Sequence, residues 1–107
     1  MSRINTLLKK KNISIITCYD ATFSNLLEQC KCDAVLVGDS LGIIIKGEKN
    51  TRKVSMDEMI YHTQAVRRGS TSLPIISDMP LLALETKKNT LINAKALIDA
   101  GADMIKI

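Results

Sequence analysis

Ala34-Val35-Leu36-Val37-Gly38-Asp39-Ser40 is the stretch that decides the fold. Its unbroken apolar run is too short for a helix and suits a strand covered on both faces, as strands of parallel sheets are. The run stops on a glycine and two small polar residues, which is turn chemistry. Comparable short runs rich in Ile and Val lie at residues 13–20, 74–80 and 103–107. Helical patterns fill the intervals. The order strand, helix, strand, helix, strand, helix, strand is that of consecutive parallel βα units.

The helices carry readable boundaries. Asp20 is placed to cap a helix through Phe23, Leu26 and Leu27. Ser55 and Glu58 have the spacing of a capping box, in which serine and glutamate satisfy each other's backbone N–H groups. Behind it Met56, Met59, Ile60, Thr63 and Arg67 follow helical periodicity, and Gly69 is placed to stop that helix. Asn89 or Thr90 is expected to start the next helix, with Leu91, Ala94, Leu97 and Ile98 on one face and Gly101 at its end. Residues 1–10 form a candidate extra helix carrying Ile4, Leu7 and Leu8. The connection 41–54 is long for a βα loop and holds Gly42, Gly47 and Ile43-Ile44-Ile45. It reads either as a cover over a ligand or as a plain surface hairpin.

Four strands do not close a barrel, and an eight-stranded one takes about 250 residues. The 107 residues therefore read as one partial domain, the first half of a (β/α)8 barrel, ending inside a strand. Such a half-barrel is expected to expose the apolar inner face of its sheet, with Val35, Val37 and Ile76 on it, and to leave two open edges. The isolated chain is accordingly expected to associate and to be inactive.

Composition narrows the function. The net charge is +4, but only Tyr19, Phe23 and Tyr61 are aromatic, and the basic run Lys9-Lys10-Lys11 has no reading motif beside it. The run reads as a solvated turn and nucleic-acid binding is set aside. Cys18, Cys30 and Cys32 are an odd number without a second ligand pair, which suits reduced thiols better than disulfides or zinc. No apolar run approaches the ~20 residues of a bilayer span, and the N-terminus lacks a signal core, so a cytoplasmic protein without membrane contact is expected.

Polar residues recur where strands end: Asp20, then Asp39 and Ser40, then Asp78, then Lys106. Parallel α/β folds bind ligands at that edge. Neighbouring strands lie about 4.8 Å apart, so Asp39 and Asp78 could share one hard cation, with water or substrate oxygens completing its shell. Both could equally cap the turns that follow them. Ser40 could donate to a substrate carboxylate or cap a turn. Lys106 could face a bound anion, act as a Schiff-base amine, or simply be exposed. Asp20 reads as a helix cap, and His62, mid-helix, as structural.

Several motifs together resemble the ketopantoate hydroxymethyltransferase family. They are Ile16-Thr17-Cys18-Tyr19-Asp20, Leu36-Val37-Gly38-Asp39-Ser40-Leu41-Gly42, Met59-Ile60-Tyr61-His62-Thr63 with Ala65-Val66-Arg67-Arg68-Gly69, Ser77-Asp78-Met79-Pro80, and Ala100-Gly101-Ala102-Asp103-Met104-Ile105-Lys106-Ile107. The resemblance implies a barrel of the phosphoenolpyruvate/pyruvate type. It implies hydroxymethyl transfer from 5,10-methylenetetrahydrofolate to the 2-oxo acid 3-methyl-2-oxobutanoate, giving 2-dehydropantoate for pantothenate and coenzyme A biosynthesis. It also implies a homo-oligomer in the full-length form. Magnesium would fall on Asp39 and Asp78, and substrate contacts on Asp39, Ser40, Asp78 and Lys106. The family's third metal carboxylate and its catalytic glutamate fall beyond Ile107, so the resemblance implies no catalytic base within the chain. Leu81, Leu84 and Arg52-Lys53 depart from the family pattern without touching a matched ligand. An inactive remnant and a Schiff-base aldolase on the same fold are the alternatives.

Overall fold

The computed structural model describes residues 2–107. Helix α1 (Ser2–Leu8) precedes strand β1 (Ile15–Thr17), followed by α2 (Ala21–Gln29), β2 (Ala34–Val37), a short α3 (Leu41–Ile44), α4 (Met56–Gly69), β3 (Ile75–Asp78), a 3-10 turn (Leu81–Ala83), α5 (Lys87–Ala100) and β4 (Met104–Lys106). The strands form one parallel sheet in the order β1-β2-β3-β4, which is also their order in the chain. All four apolar runs are strands, each shorter than the run that announced it. Met1, the first residue of the expected N-terminal helix, lies outside the described residues.

Register assigns the two faces. Val35 pairs with Ile75 and Val37 with Ser77, so these four share a face, and all four are fully buried. That face carries the helices: Thr63 of α4 hydrogen-bonds Ser77 across it, hydroxyl to hydroxyl at 2.8 Å. Leu36, Ile76 and Met104 are register partners on the opposite face and are only half-buried. The expectation that Val35 and Val37 would line an exposed inner face with Ile76 is therefore wrong. The side chain alternates at every residue, and Ile76 lies one step out of phase with Val35 and Val37. The outer edge of β1 is open as well, with Ile15, Ile16 and Thr17 all exposed.

Local chemistry explains the ends. The Asp20 carboxylate accepts the Phe23 N–H at 2.8 Å, and the Ser55–Glu58 capping box is complete in both directions. Lys46 reaches the same glutamate, and its hydrogen bond, with those from Ser55, holds the Glu58 carboxyl below its ordinary range. Gly69 does close α4, but for a different reason than a left-handed turn. A Cβ there would sit 2.2 Å from the Ala21 carbonyl oxygen, so glycine lets α4 touch the first turn of α2. Helix α5 starts earlier than Asn89 or Thr90, because the Thr86 hydroxyl caps it by accepting the Asn89 N–H at 3.0 Å. Gly101 ends it at φ +124°, as its position suggested. The face expected of α5 is split. Leu97 and Ala94 meet the core, while Leu91 and Ile98 are exposed, since the helix packs mainly on α4, β4 and the 3-10 turn. Phe23 and Leu26 of α2 are exposed in the same way.

Residues 41–54 are no hairpin. Leu41–Ile44 is helical, the chain turns at Gly47 with φ +74°, and Leu41 and Val54 plug into the core. Nor is the lysine run wholly solvated: Lys10 pairs with Asp33 at 2.7 Å. Ser14 donates to Asp33 from both its N–H and its hydroxyl. These contacts, the Lys10 hydrogen bond first, pull the Asp33 carboxyl from its ordinary 3.8 down to about 2.

A second knot is tighter. Arg67 donates to the carbonyls of Gly101, Ser70 and Leu73 and to Asp103 Oδ2 at 2.8 Å. Asp103 also accepts the Ile75 N–H at 2.9 Å and the Arg3 Nε–H at 2.9 Å. Burial is the main reason that the Arg67 guanidinium titrates below its ordinary range.

Asp103→Ala is expected to destabilise the protein by about 2 kcal/mol, because it takes the carboxylate from the part-buried Arg67 guanidinium and leaves a strand N–H without its acceptor; urea unfolding measures the loss. A folded pKa depressed as that of Asp33 is adds stability above the unfolded value, and that stability drains as pH falls through the folded one. The contribution of Asp33 should therefore fade between 3.8 and about 2, and Asp33→Asn should flatten the acid limb of stability there. The purified 107-residue chain, with its half-bare sheet face and open edges, is expected to self-associate. A sharp monomer in sedimentation across a hundredfold concentration range would contradict that.

Candidate functional site

The carboxyl ends of β2, β3 and β4 converge on one carboxylate. Asp78 is the last residue of β3 and projects to the face opposite the helices, together with its register partner Lys106. Its Oδ1 accepts from Lys106 Nζ at 3.1 Å and its Oδ2 accepts the Asp39 N–H at 3.0 Å. The Asp78 side chain is 8% exposed and that of Lys106 is 62% exposed, so a near-buried anion is met by a cation arriving from solvent. Asp78 does not cap its own turn; it ties three strand ends together.

Asp39 reaches this place by leaving the strand. Strict alternation would set it on the face of Val37, away from Asp78. The strand stops at Val37, and Gly38 turns the chain so that the backbone of Asp39 meets Asp78. A Cβ on Gly38 would lie 3.0 Å from Ser40 Oγ and 3.4 Å from Asp78 Oδ2. A side chain at this position would crowd both, so glycine is what lets the serine hydroxyl and the aspartate lie close to the backbone here. Ser40 occupies the N-cap position of α3, yet its side chain makes no capping bond. Its hydroxyl instead lies 2.6 Å from the Tyr19 hydroxyl. His62 Nδ1 in turn donates to the Tyr19 carbonyl at 2.7 Å. The four residues expected at the site, Asp39, Ser40, Asp78 and Lys106, are thus at one end of the sheet, while Asp20 is engaged in capping α2.

Sequence reasoning passed over Tyr19 and gave His62 no link to the site. The signal for Tyr19 was its place at the end of the first strand, beside Asp20. Gly38 signals only a turn in the sequence, not its contact with Ser40 and Asp78. The buried Thr63–Ser77 hydroxyl pair, one residue from Asp78, left no trace in the pattern at all.

Two cavities flank the sheet. One of about 310 Å³ is apolar and adjoins the site, between Ile16, Tyr19 and Phe23 on one side and Ile44 and Ile45 on the other. The second, of about 440 Å³, lies at the opposite end. Three of its charged residues are matched, Arg3 with Asp103, Lys10 with Asp33, and Glu28 with the N–H and hydroxyl of Ser72, while Lys31 also lines it. Among the described residues no group of three or more His, Cys, Asp or Glu gathers as a metal cage, and no helix is long and apolar enough to cross a membrane.

Comparison with solved structures gives the fold. The chain superposes on phosphoenolpyruvate phosphomutase from Streptomyces platensis with a TM-score of 0.84 at 13% identity, covering 99% of this chain and 37% of that one. For 2,3-dimethylmalate lyase, a member of the PEP mutase/isocitrate lyase superfamily, the TM-score is 0.77 at 12% identity, over 97% of this chain and 37% of that one. The four parallel strands are thus the corresponding part of such a barrel. Sequence comparison is closer. The chain is 48% identical over 98 residues to the 3-methyl-2-oxobutanoate hydroxymethyltransferase of Aromatoleum aromaticum, covering 91% of this chain and 36% of that protein. It is 45% identical over 113 residues to the same enzyme of Aeromonas hydrophila, covering all of this chain and 43% of that protein. The chain spans about two fifths of the length of these curated relatives. The ketopantoate hydroxymethyltransferase profile matches residues 1–107, and with the strand-end motifs in the same order the chain belongs to that family.

Proposed function

We propose that the protein transfers a hydroxymethyl group from 5,10-methylenetetrahydrofolate to 3-methyl-2-oxobutanoate, giving 2-dehydropantoate, and that residues 1–107 supply the anion- and cation-binding part of its site within one barrel domain. The observation that carries this reading is the Asp78 carboxylate, held between the Asp39 N–H and Lys106 at the strand ends. Family membership supplies the substrates. A cytoplasmic setting and a homo-oligomeric full-length form go with it.

The donor set fits magnesium. Two aspartates on adjacent strand ends offer hard oxygen ligands, and magnesium takes one or two carboxylates and fills its remaining positions with water and substrate. Asp39 and Asp78 would hold the ion. Bound there, it supplies Lewis-acid polarisation of the 2-oxo acid.

The chain's own residues do the rest of the binding. Lys106 sets a positive charge beside the same carboxylate and faces solvent, where it can meet an incoming anion. Ser40 presents a hydroxyl at the same strand ends, suited to a substrate carboxylate. The reaction removes a proton from the carbon next to the carbonyl. Water opens the folate's methylene bridge, and the carbon bonds to that one-carbon unit as its last bond to nitrogen breaks. The unit thus leaves tetrahydrofolate carrying the oxygen of the water. We assign no base for that proton among residues 1–107. The Schiff-base reading is disfavoured by the Lys106–Asp78 pair, since an ammonium held by a carboxylate has no lone pair for a carbonyl.

In a protein that carries this chain within a complete eight-stranded barrel, Asp78→Ala is expected to cut turnover about a hundredfold or more. Asp39→Ala should behave alike, and a chelator should abolish activity reversibly. Unchanged magnesium-dependent turnover in both variants would remove the proposed ligands. Borohydride trapping of substrate on Lys106 would replace the reading with the aldolase one, and absence of folate-dependent product would favour the inactive remnant.

A further inference from the structure

Tyr19 lies just past the end of β1, two strands away from Asp78, and the proposed function gives it no role. Its side chain is half-buried, and its hydroxyl and its backbone carbonyl are both engaged. The hydroxyl is 2.6 Å from Ser40 Oγ. The carbonyl accepts from His62 Nδ1 at 2.7 Å. A carbonyl can only accept, so Nδ1 must carry a proton, and the bond survives whether the imidazole is neutral or charged. The His62 ring is itself braced by Tyr61, edge to face, with centroids 5.3 Å apart. The link from His62 joins α4 to the turn after β1, and the Tyr19 hydroxyl then joins that turn to the one after β2.

The direction of the Tyr19–Ser40 bond follows from chemistry. A phenol is a better donor than an aliphatic hydroxyl. With the phenol donating, the serine O–H is left free to donate onward. Two hydroxyls aligned in one sense polarise each other, so the terminal O–H binds an anion more strongly than a lone serine does. That hydroxyl lies beside Gly38, at the same strand ends that carry Asp78.

We infer that Tyr19, held by His62, is a positioning residue for Ser40, setting the serine hydroxyl as a donor to the carboxylate of a small 2-oxo acid. This rests on the proposed function for the identity of the anion. Its own content is the chain of action His62, Tyr19, Ser40, which two tests read separately.

The first needs no ligand. Three-bond couplings of Ser40 should show one χ1 rotamer in the unmutated protein and rotamer averaging in Tyr19→Phe, with the melting temperature little changed. A serine rotamer indifferent to Tyr19→Phe overturns the inference. The second is a double-mutant cycle on the affinity for 3-methyl-2-oxobutanoate in saturating magnesium, in the barrel protein used above. Ser40→Ala and Tyr19→Phe should each weaken binding about tenfold. The double variant should be no weaker than Ser40→Ala alone, because Tyr19 acts only through Ser40. His62→Ala should weaken binding, and His62→Asn, which keeps a donor near the Nδ1 position, should recover most of it. Additive losses would make Tyr19 a direct ligand contact and overturn the inference. If the unmutated protein binds no 2-oxo acid, the proposed function fails and takes the ligand half of the inference with it, while the rotamer test still decides the positioning half.

Discussion

Arg67 is where the register of the sheet is set. Its guanidinium leaves the last turn of α4 and gathers the carbonyls of Ser70, Leu73 and Gly101 with the carboxylate of Asp103. Asp103 passes the constraint on to the Ile75 N–H at the head of β3. The starts of β3 and β4 are thereby locked to one helix end. Three residues further along both strands, that lock delivers Asp78 opposite Lys106. A planar fork with five donors suits such a junction; a lysine could not bind four acceptors in fixed directions. Gly101 belongs to the same arrangement, since a Cβ there would come within 2.7 Å of the Arg67 side chain.

The sheet therefore has two ends with different duties. At the amino ends of the strands, charges are spent on each other: Arg3, Arg67 and Asp103 form one knot, and Lys10, Ser14 and Asp33 another. At the carboxyl ends, the polar groups are joined by fewer bonds and keep open directions. This division is the general one for barrels of parallel strands, in which one face holds the fold and the other faces ligands. The Thr63–Ser77 pair connects the two layers beneath Asp78, keeping β3 seated on α4 without placing a charge in the core.

The sequence made the architecture legible because parallel βα units write each element with a distinct period. The four apolar runs, the Asp20 cap, the Ser55–Glu58 box and the Gly101 end all lie within a few residues of what they control. Long-range facts were not legible. Which strand face meets the helices depends on pairing across the sheet, so Val35 and Val37 were placed on the wrong side. Gly69 carries no left-handed backbone; its reason is Ala21, 48 positions away. Helix α2 is followed by Lys31 at φ 60°, a conformation that glycine usually announces, and no glycine stands there to mark it. At the candidate site the strand-end polar residues could be read from position alone. The hydrogen bonds that link them, Asp39 to Asp78 and Tyr19 to Ser40, could not, because each crosses from one βα unit to the next.

The identity of strand order and chain order has a bearing on how such a chain is made. A ribosome releases the strands in the sequence β1, β2, β3, β4, and each docks on the strand made just before it. Every pairing closes a loop that is already complete when its second strand emerges, so each strand after β1 finds a partner already made. Contacts between neighbouring units also keep loop-closure entropy modest for a parallel sheet. The cost is that the newest edge is always bare. Through synthesis the growing sheet carries an unpaired strand at its leading side, the place where a holding chaperone has most to protect.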